Sequence, residues 1–277
     1  DTLPQAKNFK EYLLFLFTSY FNSLRKEEKN HEIVTWFKDL ETIKDTSFLI
    51  FLGYEKIKQN QVAQGFDILW QEYQKNPQEN MLKGFIQFCY LEVQENNNLE
   101  NAQTIALKLA SLIEKNSFVS HFFSDYFLLV ASFALKNQEI QKGIDAFLAF
   151  SSYPALIGKV DEAISKTVYQ GTIYPLLKQN NYEQALLEFQ KTFDRVSVPH
   201  AILVENYKIA LLNYGGKCYQ EKKYETAYQT YVKLLTLFPK DPLGLKNFKG
   251  ISHAYLSTLK DENLKKELFI KIMLPLV

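Results

Sequence analysis

The 277-residue sequence predicts an all-α fold, a stack of helical hairpins. Three observations carry that expectation. Breakers are scarce, with 10 Gly and 8 Pro, and no Asn-Gly or Asp-Gly pair marks a β-hairpin turn. A helical apolar pattern recurs at a nearly constant period. In each copy a small residue stands where the apolar face is widest: Ala102, Gly143, Ala185 and Ala227, at spacings of 41, 42 and 42. A fifth copy places Gly65 in the same column, 37 positions before Ala102.

The copies are LENAQTIALKL from Leu99, IQKGIDAFLAF from Ile140, YEQALLEFQKT from Tyr182 and YETAYQTYVKL from Tyr224. Offsets of three, four and seven lie on one helix face. A small residue at the centre of that face lets a second helix approach, and large residues on either side fill the flanks. That second helix precedes each copy. The strongest apolar stretches, around 12–21, 48–57, 85–93, 125–135 and 211–219, lie upstream of the small-residue helices. Polar turns join the two at 59–61, 95–98, 136–138, 179–181 and 221–223. Each unit is therefore a hairpin of about 40 residues.

At the N-terminus, residues 5–44 read as two further helices with Trp36 and Phe37 facing inward. Residues 243–274 read as one helix followed by a terminal helix, because a stacked array needs an atypical end whose outer face tolerates water. No Gly/Ser-rich or Pro-rich linker divides the chain. The softest stretch, Ser151 to Pro154 and on through Gly158, reads as a loop between hairpins. The resulting organisation is an N-terminal hairpin or cap at 1–45 and an array at 46–241. The array's units lie at about 46–79, 83–116, 124–157, 166–199 and 208–241. A C-terminal helix and capping helix follow at 242–277.

Segment Lys208–Asp241 resembles a tetratricopeptide repeat (TPR). Counting Lys208 as the first position, Leu211 fills the Trp slot, Tyr214 the Leu slot and Gly215 the Gly slot. Tyr224 and Ala227 fill the next pair, Tyr231 the Phe slot and Pro239 the closing Pro, while Cys218 replaces the usual Tyr. Segment Thr46–Glu79 fits through Leu49, Leu52, Gly53, Gly65, Leu69 and Pro77. Residues 170–178 lack the Leu-Gly pair and carry Pro175 inside a helix, which predicts a kink. The period of 41–42 exceeds the family's 34, so the hairpins are TPR-like. Over about residues 46–258, the resemblance implies a right-handed α-solenoid of about six to seven TPR-like hairpins with a C-terminal capping helix.

Lys+Arg is 32 and Asp+Glu is 31, a formal net charge of +1, which argues against a strongly basic nucleic-acid binder. The longest nearly apolar stretch, Tyr126–Leu135, is too short for a membrane span, so no integral membrane segment is expected. The chain starts at Asp1 rather than Met, which points to a processed form or an excised piece. That tilts the expected compartment toward the periplasm or envelope over the cytoplasm.

Candidate chemistry is sparse. His31, His121, His200 and His253 stand far apart, with no i, i+4 metal pair. Cys89 and Cys218 are too few for a zinc cluster; they read as two buried thiols, with a single disulfide as the alternative. Glu27-Glu28, Asp261-Glu262 and the lysines 217, 222 and 223 read as solvated surface and turn, and Gly215-Gly216 as a helix-packing feature. No phosphate loop or nucleophile motif is present. The chain therefore reads as a non-enzymatic protein without metal or cofactor.

The resemblance implies binding of a protein or peptide in a concave face lined by the first helix of each hairpin. Its groove positions fall here on Tyr54 and Lys58, Gln87 and Leu91, Lys136, Gln170, Tyr174 and Lys178. In the last full repeat they fall on Asn213, Tyr219 and Gln220, with Leu212 and Gly216 in the same register. The carboxylate-gripping TPR subtype needs Lys and Asn where this chain has Ile50 and Tyr54, so that mode is not expected. The string YETAYQTYVKLLTLFPKDP is similar to repeats of bacterial outer-membrane assembly lipoproteins, which implies a scaffold in envelope assembly. A peptide-sensing regulator is the alternative, although residues 1–44 show no convincing DNA-binding helix-turn-helix.

Overall fold

A computed structural model describes residues 6–273. It is all-helical, with 81% helix and no strand among the described residues. The helices are α1 (Ala6–Lys26), α2 (Asn30–Thr42), α3 (Thr46–Lys58), α4 (Val62–Lys75), α5 (Glu79–Gln94) and α6 (Leu99–Ala110). They continue with α7 (Ser117–Asn137), α8 (Ile140–Leu148), α9 (Ile157–Val168), α10 (Tyr174–Lys178) and α11 (Tyr182–Phe193). The last four are α12 (Ala201–Gln220), α13 (Tyr224–Leu237), α14 (Pro242–Thr258) and α15 (Glu262–Met273). A π-turn, Tyr169–Ile173, joins α9 and α10 into one rod.

The helices pack in neighbouring pairs, and the turns show why. A non-glycine residue in the left-handed region ends the first helix of six pairs: Glu28, Asn60, Asn97, Gln138, Asn180 and Lys222. At Asn60 (φ 66°) the Gln61 N–H reaches back to the Lys56 carbonyl at 2.9 Å and the Asn60 N–H to that of Ile57. The same long closure joins Lys29 to Leu24, Glu139 to Ala134, Asn181 to Leu176 and Lys223 to Cys218. This is the Schellman closure, which satisfies carbonyls that a helix end would otherwise leave open. Three of the six residues are Asn, the non-glycine type best suited to that conformation.

The chain divides into two compact units, residues 1–122 and 123–277. In the first, Phe21, Leu24, Ile33, Phe37, Leu40, Phe48 and Leu52 form one buried cluster. Phe37 faces inward as expected, but Trp36 is 36% exposed and only edges Phe17 and Tyr20. Helices α3 and α4 approach closely through two glycines. A Cβ at Gly65 would stand 2.4 Å from the Gly53 carbonyl oxygen, and one at Gly53 would stand 2.6 Å from Leu69. Further on, Ala102 of α6 is fully buried, and the Cys89 thiol of α5 donates to its carbonyl at 3.6 Å.

In the second unit the same column does the same work. A Cβ at Gly143 would meet Ala134 at 2.6 Å, and Ala185 and Ala227 are fully buried. Aromatic edges fill the flanks. Phe123, Phe127 and Phe150 meet at 5.4–5.8 Å, Tyr207 lies 5.2 Å from Phe189 and 5.1 Å from Phe193, and Tyr228 stacks on Phe248 and Tyr255. Where a kink was expected at Pro175, the helix carries a π-turn just before the proline. Tyr174 N–H bonds to the Tyr169 carbonyl five residues back, in the turn preceding the proline that lacks a donor. Stretch 151–158, read as a loop, holds a 3₁₀ turn (Pro154–Leu156) and the start of α9. The connection before α12 is pinned from below, where buried Asp161 accepts from Val198 N–H at 2.9 Å. Both cysteines are free and buried.

Candidate functional site

The expected groove residues fall into three groups by what holds them. In the first unit Tyr54 of α3 is half-buried, with its ring 5.9 Å from Phe88 of α5; burial pushes its hydroxyl pKa up. Lys58 donates to Glu55 at 2.8 Å, and that carboxylate is 1% exposed and also held by Arg25 at 2.6 Å. These two side chains are engaged within the fold. Gln87 is exposed on α5 and Leu91 is half-buried.

The second group decorates the long rods of the second unit. Lys136 is exposed near the end of α7, and Gln170 is exposed in the π-turn. Lys178 lies 4.7 Å over the Tyr174 ring, one helical turn away, and Tyr174 is 6.0 Å from Tyr169. Tyr169 in turn donates to Asn206 of α12 at 2.9 Å. Tyr219 edges Tyr224 at 5.6 Å and is 42% exposed.

The third group forms a cleft. Asn213 and Gln220, with Leu212, Gly216 and Lys217, present one face of α12 to an open space of about 560 Å³. Asn180 and Tyr182, at the turn into α11, form one flank. Leu243 and Asn247 of α14 form the other, above Tyr231 of α13. The floor is preorganised: Asn247 Nδ2 donates to Tyr231 Oη at 3.0 Å, and Tyr231 Oη donates to the Leu212 carbonyl at 3.3 Å. That bond fixes the Asn247 carboxamide and leaves its Oδ1 for a ligand. Lys217 contacts the Asn180 carbonyl at 3.3 Å and lies 5.7 Å over the Tyr182 ring.

Among the described residues no carboxylate lines this cleft, and its one formal charge is Lys217. The nearby Glu183 is occupied by the Tyr214 hydroxyl at 2.7 Å; burial, then that bond, raises the Tyr214 pKa. Four carboxamides, two phenols and an ammonium give the cleft both hydrogen-bond donors and acceptors.

The two adjacent glycines part company here. A Cβ at Gly215 would stand 2.4 Å from the Tyr231 ring, so Gly215 is a packing glycine. A Cβ at Gly216 would meet nothing within 4 Å. The expectation that both serve helix packing holds for Gly215 and fails for Gly216, which opens onto the cleft. Asn247 and Leu243 were outside the expected groove because the array was ended at residue 241. Counting the 34-residue repeat on from Lys208 puts Leu243 and Asn247 in the second and sixth positions, where the TPR resemblance would have placed expected groove residues.

A second, smaller cleft of about 220 Å³ lies between α7 and α9, also first helices of their pairs. Leu128, Phe127, Ala131 and Ala163 make it apolar, and Leu128 is 61% exposed. Its charged rim is tied internally: Lys166 pairs with Glu162 and Lys159 reaches Ser124, both at 2.5 Å. Lys166 holds the Glu162 carboxyl below its ordinary range.

Among the described residues no cluster of three or more His, Cys, Asp or Glu could hold a metal ion. No helix there is long and apolar enough to cross a membrane. No protein-family model matches the chain, and no curated protein matches it.

Proposed function

We propose that the chain is a right-handed solenoid of about six to seven TPR-like hairpins and a non-enzymatic scaffold that binds a protein segment along its first helices. The observation that carries this reading is the cleft at Asn213, Gly216 and Gln220. It combines a preorganised carboxamide, free carboxamides and an unfilled position opposite a glycine. A carboxamide offers one donor and one acceptor side by side, which matches the N–H and C=O of an extended peptide. Desolvating such a backbone is costly unless its groups are paired, so affinity comes from segments whose amides meet these side chains. Apolar residues of the same partner suit the Leu128 cleft. Assembly work in a bacterial envelope fits a scaffold of this kind.

The test is selection of displayed random peptides on the wild type and on Gly216→Trp. The indole enters open space, so the fold is retained while the cleft is filled. Enriched peptides that lose binding to Gly216→Trp support the reading. Peptides that bind both proteins equally, or no enrichment at all, refute it.

A further inference from the structure

We propose that a separate apolar cleft on the second-helix side binds an alkyl carboxylate, with its chain inside and its acid group at Lys233. The cleft has about 580 Å³, within the range of ~300–1,000 Å³ that suits small ligands. Its walls are Phe193 of α11, Val204 and Tyr207 of α12, and Leu237 and Phe238 of α13. Among the described residues, Lys233 is the one charged residue that lines it.

Three features select the occupant. The walls are mostly hydrocarbon and aromatic, with Gln190 and Thr236 as the uncharged polar lining, so the driving force is burial of an apolar chain. Leu237 is 50% exposed at the cleft and Val198, in the adjoining connection, is 70% exposed, so apolar surface is left uncovered there. Lys233 is exposed, makes no ion pair among the described residues, and holds its ammonium 5.6 Å from the Tyr207 ring. A group entering over that ring meets a positive charge. The carboxylates on the adjoining elements are already engaged: Asp194 accepts from Gln190 at 3.0 Å, and Glu205 and Asp241 pair with Lys208 at 3.0 and 3.7 Å. The complement of an apolar cleft with one unpaired cation at its mouth is therefore an anionic amphiphile. A cationic one would face Lys233 with nothing to offset it.

The experiment is calorimetric titration with sodium octanoate, decanoate and dodecanoate below their micelle concentrations. Affinity is expected to rise about threefold to fourfold per methylene. Lys233→Glu, at an exposed site, should weaken dodecanoate about tenfold and favour dodecyltrimethylammonium instead. Thr236→Trp, also exposed and in the wall, should fill the cleft and abolish both. Gly216→Trp should leave dodecanoate binding unchanged, because that residue lines the other cleft. Sedimentation with phosphatidylglycerol vesicles separates a free acid from a membrane surface, and the protein should stay in the supernatant. The proposal is overturned by absence of dodecanoate binding, or by binding that Thr236→Trp leaves intact. Binding lost in Gly216→Trp, or vesicle sedimentation that Thr236→Trp abolishes, would overturn it too.

Discussion

The two compact units treat buried polar side chains differently. In residues 1–122 the core takes in charge: Glu55, Lys56, Glu72 and Glu92 are each at most 6% exposed. Each is held by partners from its own helix or a neighbouring one. Glu55 takes Arg25 and Lys58, Lys56 takes Glu41 and Gln64, Glu72 takes Lys75, and Glu92 takes Asn96 and Asn101. In residues 123–277 the buried polar groups are mostly hydroxyls, with Asp161 the one buried charge among the described residues. Its Asn213, Lys217, Gln220, Asn247 and Lys233 lie instead along open clefts. A buried charge is tolerated where partners offset its lost hydration, so it is committed to structure; only Glu72 Oε2 among these groups is buried without a hydrogen-bond partner. A polar side chain on a cleft wall keeps its bonding capacity for a ligand. The difference commits the first unit's buried polar residues to structure and leaves the second unit's cleft residues free for the binding role proposed above.

The sharpest way to break that contrast is Glu55→Ala. It leaves Arg25 half-buried without its carboxylate, and the expected cost is about 3 kcal/mol. Hydrogen exchange should show lost protection in α3 and α4 and little change in α12 and α13. Equal loss in both units would mean the buried charges do not act locally. Next in size is Gly215→Ala, which drives a methyl into the Tyr231 ring and should cost ~1–3 kcal/mol in the second unit. The neighbouring Gly216→Ala should do the reverse. It gains helix propensity with no contact, so it should stabilise by about 0.5–1 kcal/mol. Thermal melts of the two variants check the opposite signs; a loss at both positions would place Gly216 in the packed core.

The smallest effect concerns pH. Asp45 caps α3 through the Ser47 and Phe48 N–H groups, and the Lys10 ammonium, at 2.6 Å, holds its carboxyl below the usual range. A depressed folded value means the contribution is present above the unfolded carboxylate value and fades as pH falls through the folded one. Asp45→Asn should therefore lower the melting temperature slightly at neutral pH and leave it nearly unchanged in strong acid. A deficit independent of pH would contradict a charge-based contribution.

Much of the helical pairing was legible in the sequence, because it rests on one column of small residues. Gly65, Ala102, Gly143, Ala185 and Ala227 are all buried where helices meet, as their spacing required. The polar turns were legible too, although their shared left-handed residue was not, since Glu28, Gln138 and Lys222 carry no turn signal of their own. Trp36 was misread because periodicity along α2 does not say how far the α1 face extends over it. The buried carboxylates were invisible. Nothing in the sequence around Glu55 says that Arg25 stands opposite it. Part of the cleft was legible: Asn213 and Gln220 came from the repeat register, and Asn247 would have come from extending it. Asn180 and Tyr182 belong to a turn, outside any helix-face register. The contrast between Gly215 and Gly216 needed the position of Tyr231, which lies across a helix interface.

The most direct test of the binding assignment is photo-crosslinking from the open position itself. Benzophenone-alanine replaces Gly216 on the cleft in one protein and Gln229, exposed on α13, in another. Both are irradiated in extracts of the native cells, and adducts are identified by mass spectrometry. Polypeptide adducts that form from position 216 and not from 229, and that an enriched displayed peptide competes away, are the predicted result. Adducts equal at both positions, or none at 216, would contradict the assignment of the first-helix cleft as the binding face.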